Sequence, residues 1–187
     1  MEDETNHRLA RAALLVLGMA AGSPGAARAQ QEPEWTVLAR RIVRSSAQVK
    51  PGDVVVVNGG KASIPAMEAV AIEVQMAGGM PQIFLFSDRV TRSLLTEVPE
   101  QYLSQERRYF SKWMEPADVW INVFSPDEYF GPREGVAEER LAKVDESFLP
   151  LTAAINQAGI RFVTVMYPTQ REAARNGVPY AEFARMH

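Results

Sequence analysis

Residues 53–60, DVVVVNGG, constrain the fold more than any other part of this sequence. Four consecutive valines form a short apolar run between turn residues, and β-branched side chains favour a strand. Because the run has no polar side, we expect the strand to be buried on both faces, as in a parallel sheet covered by helices. The rest of the chain must then supply helices for two faces of a sheet.

Segments of helical periodicity alternate with further apolar runs along the chain, and this alternation indicates βαβ units with right-handed crossovers. The sequence therefore predicts an α/β layered domain over residues 30–187, with a largely parallel sheet and flanking helices. The predicted strands after DVVVV are PQIFLFSD, interpreted as a second buried strand, ADVWINVFS and IRFVTVMYPT. The predicted helices include EWTVLARRIVRSSAQV, SIPAMEAVAIEVQM, DRVTRSLLTEV, PEQYLSQERRYFSKWME, the stretch ERLAKVDESFLPLTAAINQ interrupted at Pro150, and QREAAR.

Residues 1–29 have the order of a secretory signal peptide. Arg8 and Arg11 precede the apolar run AALLVLGMAA, and the A-x-A pattern at residues 27–29 predicts cleavage between Ala29 and Gln30. The protein is then exported, to the periplasm or the medium. The alternative is an N-terminal helix packed on a cytoplasmic domain. The run is shorter than the ~20 residues that span a bilayer, so no membrane span is expected.

Composition excludes several classes of function. The net charge of −3 offers no basic surface to a nucleic acid. The sequence has no cysteine, which excludes disulfides, thiolate metal sites and cysteine nucleophiles. Its two histidines, His7 and His187, lie at the extremes of the chain. Neither a Ser-His-Asp triad nor a binuclear metal centre can be built from this chain alone.

The loop SPDEYFGPREG, which follows the third predicted strand, contains the best candidates for a ligand site. Loops at the carboxyl ends of parallel strands are where ligands usually bind. Asp127, Glu128 and Glu134 could act as a general acid and base, or as ligands of a hard cation. Charged residues are also common in solvated loops, so a purely structural role stays open.

The turn NGGKAS, residues 58–63, has the position of a phosphate-binding loop because it joins the first strand to a helix. It matches neither the P-loop nor the dinucleotide-binding spacing. A tight turn between strand and helix also explains its two glycines.

The order of several segments resembles the amino-terminal half of the thermophilic metalloprotease family, the metallo-aminopeptidases of the aminopeptidase T and S type. The segments are LARRIVRSSAQVKPGDVVVVNGG, AIEVQMAGGMPQIFLFSD, MEPADVWINVFSPDEY, RFVTVMYPTQ and GVPYAEFARM. The resemblance implies two α/β domains, a homodimer, peptide substrates, and two divalent ions, zinc or cobalt, held by the second domain. No position here matches those ligands, so the resemblance implies no catalytic or metal-binding residue in this chain.

The last ten residues, VPYAEFARMH, open a helix that no termination signal closes. We therefore expect the sequence to be the first domain of an aminopeptidase, with the C-terminal catalytic domain absent and no catalysis by this chain alone. Two other hypotheses remain at this stage. One is a complete small exported protein that binds a ligand at the loop of Asp127, Glu128 and Glu134, and the other is a phosphate- or nucleotide-binding domain that uses NGGKAS.

Overall fold

The computed structural model describes residues 34–105, 112 and 114–186. They form a parallel sheet in the order β2-β1-β3-β4 with helices on its faces, which confirms the predicted α/β layered fold. The strands are β1 (Val54–Gly59), β2 (Met80–Leu85), β3 (Val119–Phe124) and β4 (Arg161–Met166). The helices are α1 (Glu34–Arg41), α2 (Ile64–Met76), α3 (Asp88–Thr96), α4 (Pro126–Phe130), α5 (Glu138–Glu146), α6 (Leu149–Ala158), α7 (Gln170–Arg175) and α8 (Tyr180–Met186).

The central strand β1 is buried on both faces, as the valine run predicts. Val55 and Val57 belong to the larger core cluster, which also contains residues of α1 and α2. Val56 points to the opposite face and packs in a second cluster with Trp120 and Leu151. Successive side chains of a strand alternate between faces, so a run without a polar residue can fill two cores at once.

The prediction that PQIFLFSD is a second buried strand is wrong. β2 lies at the edge of the sheet, where β1 is its only neighbouring strand among the described residues. Ile83 and Leu85 are about half exposed. An apolar run shows that a segment can be buried, but the order of the strands decides which segment is central.

Three segments differ from the prediction in their local helical structure. The first helix ends in a π-helical turn, Ile42–Ser46. The helix containing Pro150 is divided into α5 and α6, with the proline in the first turn of α6. The loop after β3 is not irregular, because it folds into α4 and a 3-10 turn at Gly131–Arg133.

Two predicted segments lie wholly or partly outside the described residues: the leader with its cleavage site at Ala29 and Gln30, and the helix over PEQYLSQERRYFSKWME. Of the latter, the structure describes a 3-10 turn at Glu100–Tyr102 and the buried side chain of Met114. Within the described part of the chain, no helix is both long and apolar enough to cross a membrane.

Candidate site at the carboxyl edge of the sheet

The strand order brings together the two loops that the sequence singles out. β1 and β3 are neighbours, and the connection after β1 runs towards β2 whereas the connection after β3 runs in the opposite direction, towards β4. The crevice at such a switch point, at the carboxyl ends of the strands, is the usual ligand site of an open α/β sheet. NGGKAS leaves β1 there, and the segment with Asp127, Glu128 and Glu134 leaves β3 beside it.

The Glu128 carboxylate lies on the glycine turn. Its Oε1 accepts a hydrogen bond of 2.9 Å from the backbone N–H of Ala62. A Cβ added to Gly60 would overlap the same carboxylate, so the absence of a side chain there allows the approach. A carboxylate of this chain therefore occupies the position before α2 where a phosphate would bind, which argues against the phosphate-binding hypothesis.

Asp127 ties the loop after β3 to the elements after β4. Its side chain is 94% buried, since only 6% of its surface is exposed. Oδ1 accepts a hydrogen bond of 3.1 Å from Arg175 Nη1, and Oδ2 accepts one from the Thr169 hydroxyl. Thr169 also caps α7 by accepting from the Glu172 N–H at 3.1 Å. Both carboxylate oxygens of Asp127 are thus engaged in contacts within the chain.

Glu134 shares the same arginine. Its Oε1 accepts a hydrogen bond from Arg175 Nη2, and its Oε2 lies 3.8 Å from Arg171 Nη2. The two carboxylates beside Arg175, with hydrogen bonds to both, raise the pKa of that guanidinium, with Glu134 the larger cause. The structure therefore brings Asp127 and Glu134 together through Arg175, whereas Glu128 faces the glycine turn.

This arrangement does not fit the two-metal site that the resemblance implies for the intact enzyme. No group of three or more His, Cys, Asp or Glu side chains within the described residues is placed to hold a metal ion. Asp127 and Glu134 are already neutralised by Arg175, and an arginine between two carboxylates repels a cation. We therefore derive no catalytic step through a metal at this site.

An asparagine network lies beneath the loops and was missed by sequence reasoning. Asn58 is buried at the end of β1, and its Nδ2 donates a hydrogen bond of 2.9 Å to Asn122 Oδ1 on β3. Its Oδ1 accepts from the indole N–H of Trp120. The available signal was one polar residue after the valine run, Asn58, and one within the run VWINVF, Asn122, but only the register that pairs them reveals the contact.

Tyr167, at the end of β4, brings aromatic surface to the same edge. Its ring stacks on Trp35 with centroids 5.2 Å apart. Burial raises the pKa of the Tyr167 hydroxyl above its ordinary value of 10.0, and the negative charges of Tyr180 and Glu128 raise it further. The sequence places Tyr167 in the predicted strand IRFVTVMYPT and does not indicate that it lies near Glu128.

Two buried oxygens at this edge have no hydrogen-bond partner among the described residues, Ser125 Oγ and Glu128 Oε2. Ser125 precedes α4 without capping it through its side chain. Asp127, Glu134, Thr169 and Arg175 form hydrogen bonds with one another. Asp127, Glu128 and Glu134 are therefore held by hydrogen bonds within the chain rather than presented as free acids and bases.

Comparisons with known proteins identify a family and a solved structure to which this chain is similar. The family model described as thermophilic metalloprotease (M29) matches residues 31–182, which confirms the resemblance noted in the sequence. The solved structure of wild-type AmpT from Thermus thermophilus is 17% identical, with a TM-score of 0.66. The match covers 81% of this chain and 41% of that chain, so this chain spans about two fifths of the length of AmpT.

A second solved structure carries no argument about the fold. It is the A-PCP didomain of carboxylic acid reductase from Segniliparus rugosus in complex with AMP, 12% identical with a TM-score of 0.27. That match covers 71% of this chain and 18% of the other. No curated protein matches the sequence.

Proposed function

Because this chain belongs to the thermophilic metalloprotease (M29) family, we propose that it forms the first α/β domain of a metal-dependent aminopeptidase. In this proposal the intact enzyme removes amino-terminal residues from peptides. The chain described above is not catalytic by itself. Two divalent ions, zinc or cobalt, would be held by a second, C-terminal domain, and there they would supply an activated water molecule and polarisation of the scissile carbonyl.

The observation that carries the proposal is the family match over residues 31–182. The chemistry of the carboxyl edge supports the non-catalytic part. A carboxylate that acts as a general base must be free to accept a proton and must lie within hydrogen-bond reach of it. Asp127 and Glu134 are instead bound by Arg175, and Glu128 binds the Ala62 N–H.

The role that suits these residues is to shape one wall of the peptide-binding cavity. Hydrogen bonds hold the loops after β1, β3 and β4 in one position at the switch point, so the wall needs no reordering when a substrate arrives. Short peptides are the proposed substrates of the intact enzyme. The proposed assembly is a homodimer, exported if residues 1–29 are removed as a signal peptide and cytoplasmic if they are not.

A domain exchange tests the proposal. Residues 31–182 of this chain replace the equivalent domain of an intact family aminopeptidase, and release of p-nitroaniline from an aminoacyl p-nitroanilide is measured with zinc or cobalt. We expect the chimera to hydrolyse the substrate. We expect the full chain alone to give no turnover above the metal blank.

The intact parent enzyme is the positive control, and its second domain alone is the matched negative control. Hydrolysis by this chain alone would overturn the non-catalytic part of the proposal. A chimera that folds and binds metal as the parent does, yet never hydrolyses the substrate, would overturn the domain assignment. Circular dichroism and metal content separate that result from a folding failure.

A further inference from the structure

The edge strand β2 exposes main-chain groups that no described residue satisfies. The backbone N–H of Met80 bonds Asp53 O at 2.8 Å, and that of Phe86 bonds Gly59 O at 2.8 Å. Main-chain groups alternate in direction along a strand, so the even-numbered residues of β2 face β1. Pro81, Ile83 and Leu85 therefore turn their main chain outward, and Pro81 has no N–H to donate.

An apolar surface continues from this edge onto the neighbouring helix. Ile83 is 52% exposed, and Ile72 and Met76 on α2 are 58% and 71% exposed. Residues 74–87, from the last turn of α2 through β2, contain no ionisable side chain. Natural edge strands are usually protected by charged side chains, bulges or a covering element. Residues 74–87 provide no charged side chain for this purpose, and Pro81, which lacks an N–H, is the protective residue within β2.

A second copy of this chain can form hydrogen bonds with the outward N–H and C=O groups of β2. We propose that two chains pair β2 against β2 in antiparallel orientation about a two-fold axis, which joins their sheets into one eight-stranded sheet. Each copy offers the same outward N–H and C=O groups, so the surface is complementary to itself, as an isologous interface requires. Because residues 74–87 are uncharged, the two-fold axis brings no like charges together within this segment.

Pro81 selects the register of the pairing. An axis at Phe84 places Ile83 opposite Leu85 of the other copy, and both pairs exchange two hydrogen bonds. An axis at Ile83 would place Leu85 opposite Pro81, which lacks an N–H. An axis at Leu85 would place Ile83 opposite Ser87, beyond the end of β2. The register about Phe84 is thus the one in which the outward N–H and C=O groups of Ile83 and Leu85 are all paired within β2.

This inference rests on the homodimer in the proposed function and names its surface, whereas it is independent of the peptidase assignment. Mass is measured for the full chain by light scattering after size exclusion, for the natural sequence and for Ile83→Lys. We expect two chains per particle for the natural sequence. We expect Ile83→Lys to raise the dissociation constant at least about tenfold, since it places a charge opposite the apolar Leu85 of the other copy and makes the two lysines diagonal neighbours across the two-fold axis.

Leu149→Lys on α6 is the matched control, because Leu149 is 62% exposed and we expect this variant to remain dimeric. A monomeric natural chain would overturn both the dimer and its surface. A dimer that Ile83→Lys leaves intact would overturn the surface alone. The domain exchange described above reports on the peptidase assignment, so the failures are distinguishable.

Single cysteines test the register and do not depend on the lysine variant folding. The sequence contains no cysteine, so introduced thiols have no background. In the proposed register Gln82 lies opposite Phe86 of the other copy, as a non-hydrogen-bonded pair with neighbouring Cβ atoms. A mixture of Gln82→Cys and Phe86→Cys should form disulfide-linked dimers on mild oxidation, whereas each variant alone should form far fewer. Equal cross-linking of either variant alone, or none in the mixture, would overturn the register.

Discussion

Two adjacent glycines, Gly59 at the end of β1 and Gly60 after it, determine how closely single residues approach one another at the carboxyl edge. A Cβ on Gly59 would meet the backbone oxygen of Val123 at 2.8 Å, and a backbone atom of a central strand cannot move aside. A Cβ on Gly60 would instead meet the end of the Glu128 side chain, which can rotate away if it gives up the Ala62 N–H. The same substitution therefore has different physical consequences at neighbouring positions.

We expect Gly59→Ala to lower the free energy of unfolding by about 2–3 kcal/mol through overpacking. Gly60→Ala should cost about 1 kcal/mol, the value of one hydrogen bond. Urea unfolding followed by circular dichroism measures both. In a Glu128→Ala background the cost of Gly60→Ala should nearly vanish while that of Gly59→Ala persists. Equal costs for the two glycines would show that Glu128 does not cover Gly60.

Tyr167 should make the stability of the domain sensitive to alkaline pH. Its pKa is raised above 10.0 in the folded protein, so the folded state holds this proton more tightly than the unfolded chain does. The contribution is fully present below pH 10.0 and is lost as the pH rises through the folded pKa. Tyr167→Phe keeps a ring beside Trp35, and it should reduce the fall in unfolding free energy above that pH. An unchanged alkaline slope in the variant would contradict the assignment to Tyr167.

Between elements, one arginine connects the segment after β3 to the helix after β4. Arg175 on α7 binds Asp127 on α4 and Glu134 beyond it. Of these two carboxylates, Asp127 is the buried one, so the loss of its cation has the larger cost. Arg171 is on the same helix, and its Nη2 lies 3.8 Å from Oε2 of the exposed Glu134.

Arg175→Met should therefore lower the free energy of unfolding by about 1–3 kcal/mol, the range expected for an unsatisfied buried group. Arg171→Met is the matched control and should change it by less than about 0.5 kcal/mol. Thermal and urea unfolding measure the two variants side by side. The double variant Asp127→Asn with Arg175→Met should lose less than the sum of the two single variants, since the groups interact. Strict additivity would mean that the ion pair does not couple α4 to α7.

For the whole molecule, we predict that this chain does not bind zinc or cobalt. The described residues offer no cluster of metal ligands, and the sequence has histidines only at positions 7 and 187. We expect zinc or cobalt at tens of micromolar, added before thermal unfolding, to leave the midpoint of the full chain unchanged. A ligand that binds the folded state at 100 times its dissociation constant would add about 2.7 kcal/mol. A midpoint that rises with metal and falls again with a chelator would reveal a site that we do not predict.

The local pattern of the sequence determined the elements and the class of fold. Apolar runs of β-branched residues, helical spacing and turn residues act over a few positions, so they identified the strands and the division at Pro150. The family, too, was recognisable from the order of these segments. These features depend on residues that are close together in the chain.

Only the tertiary structure decided which strand is central and what each loop residue touches. DVVVV and PQIFL are similar apolar runs, yet the order β2-β1-β3-β4 buries the first and leaves the second at an edge. Glu128 and Ala62 are 66 residues apart and meet because β1 and β3 are neighbours. The carboxylates that sequence reasoning placed in one acidic loop therefore have different partners. Contacts between distant segments depend on strand order and register, and local propensity contains no information about either.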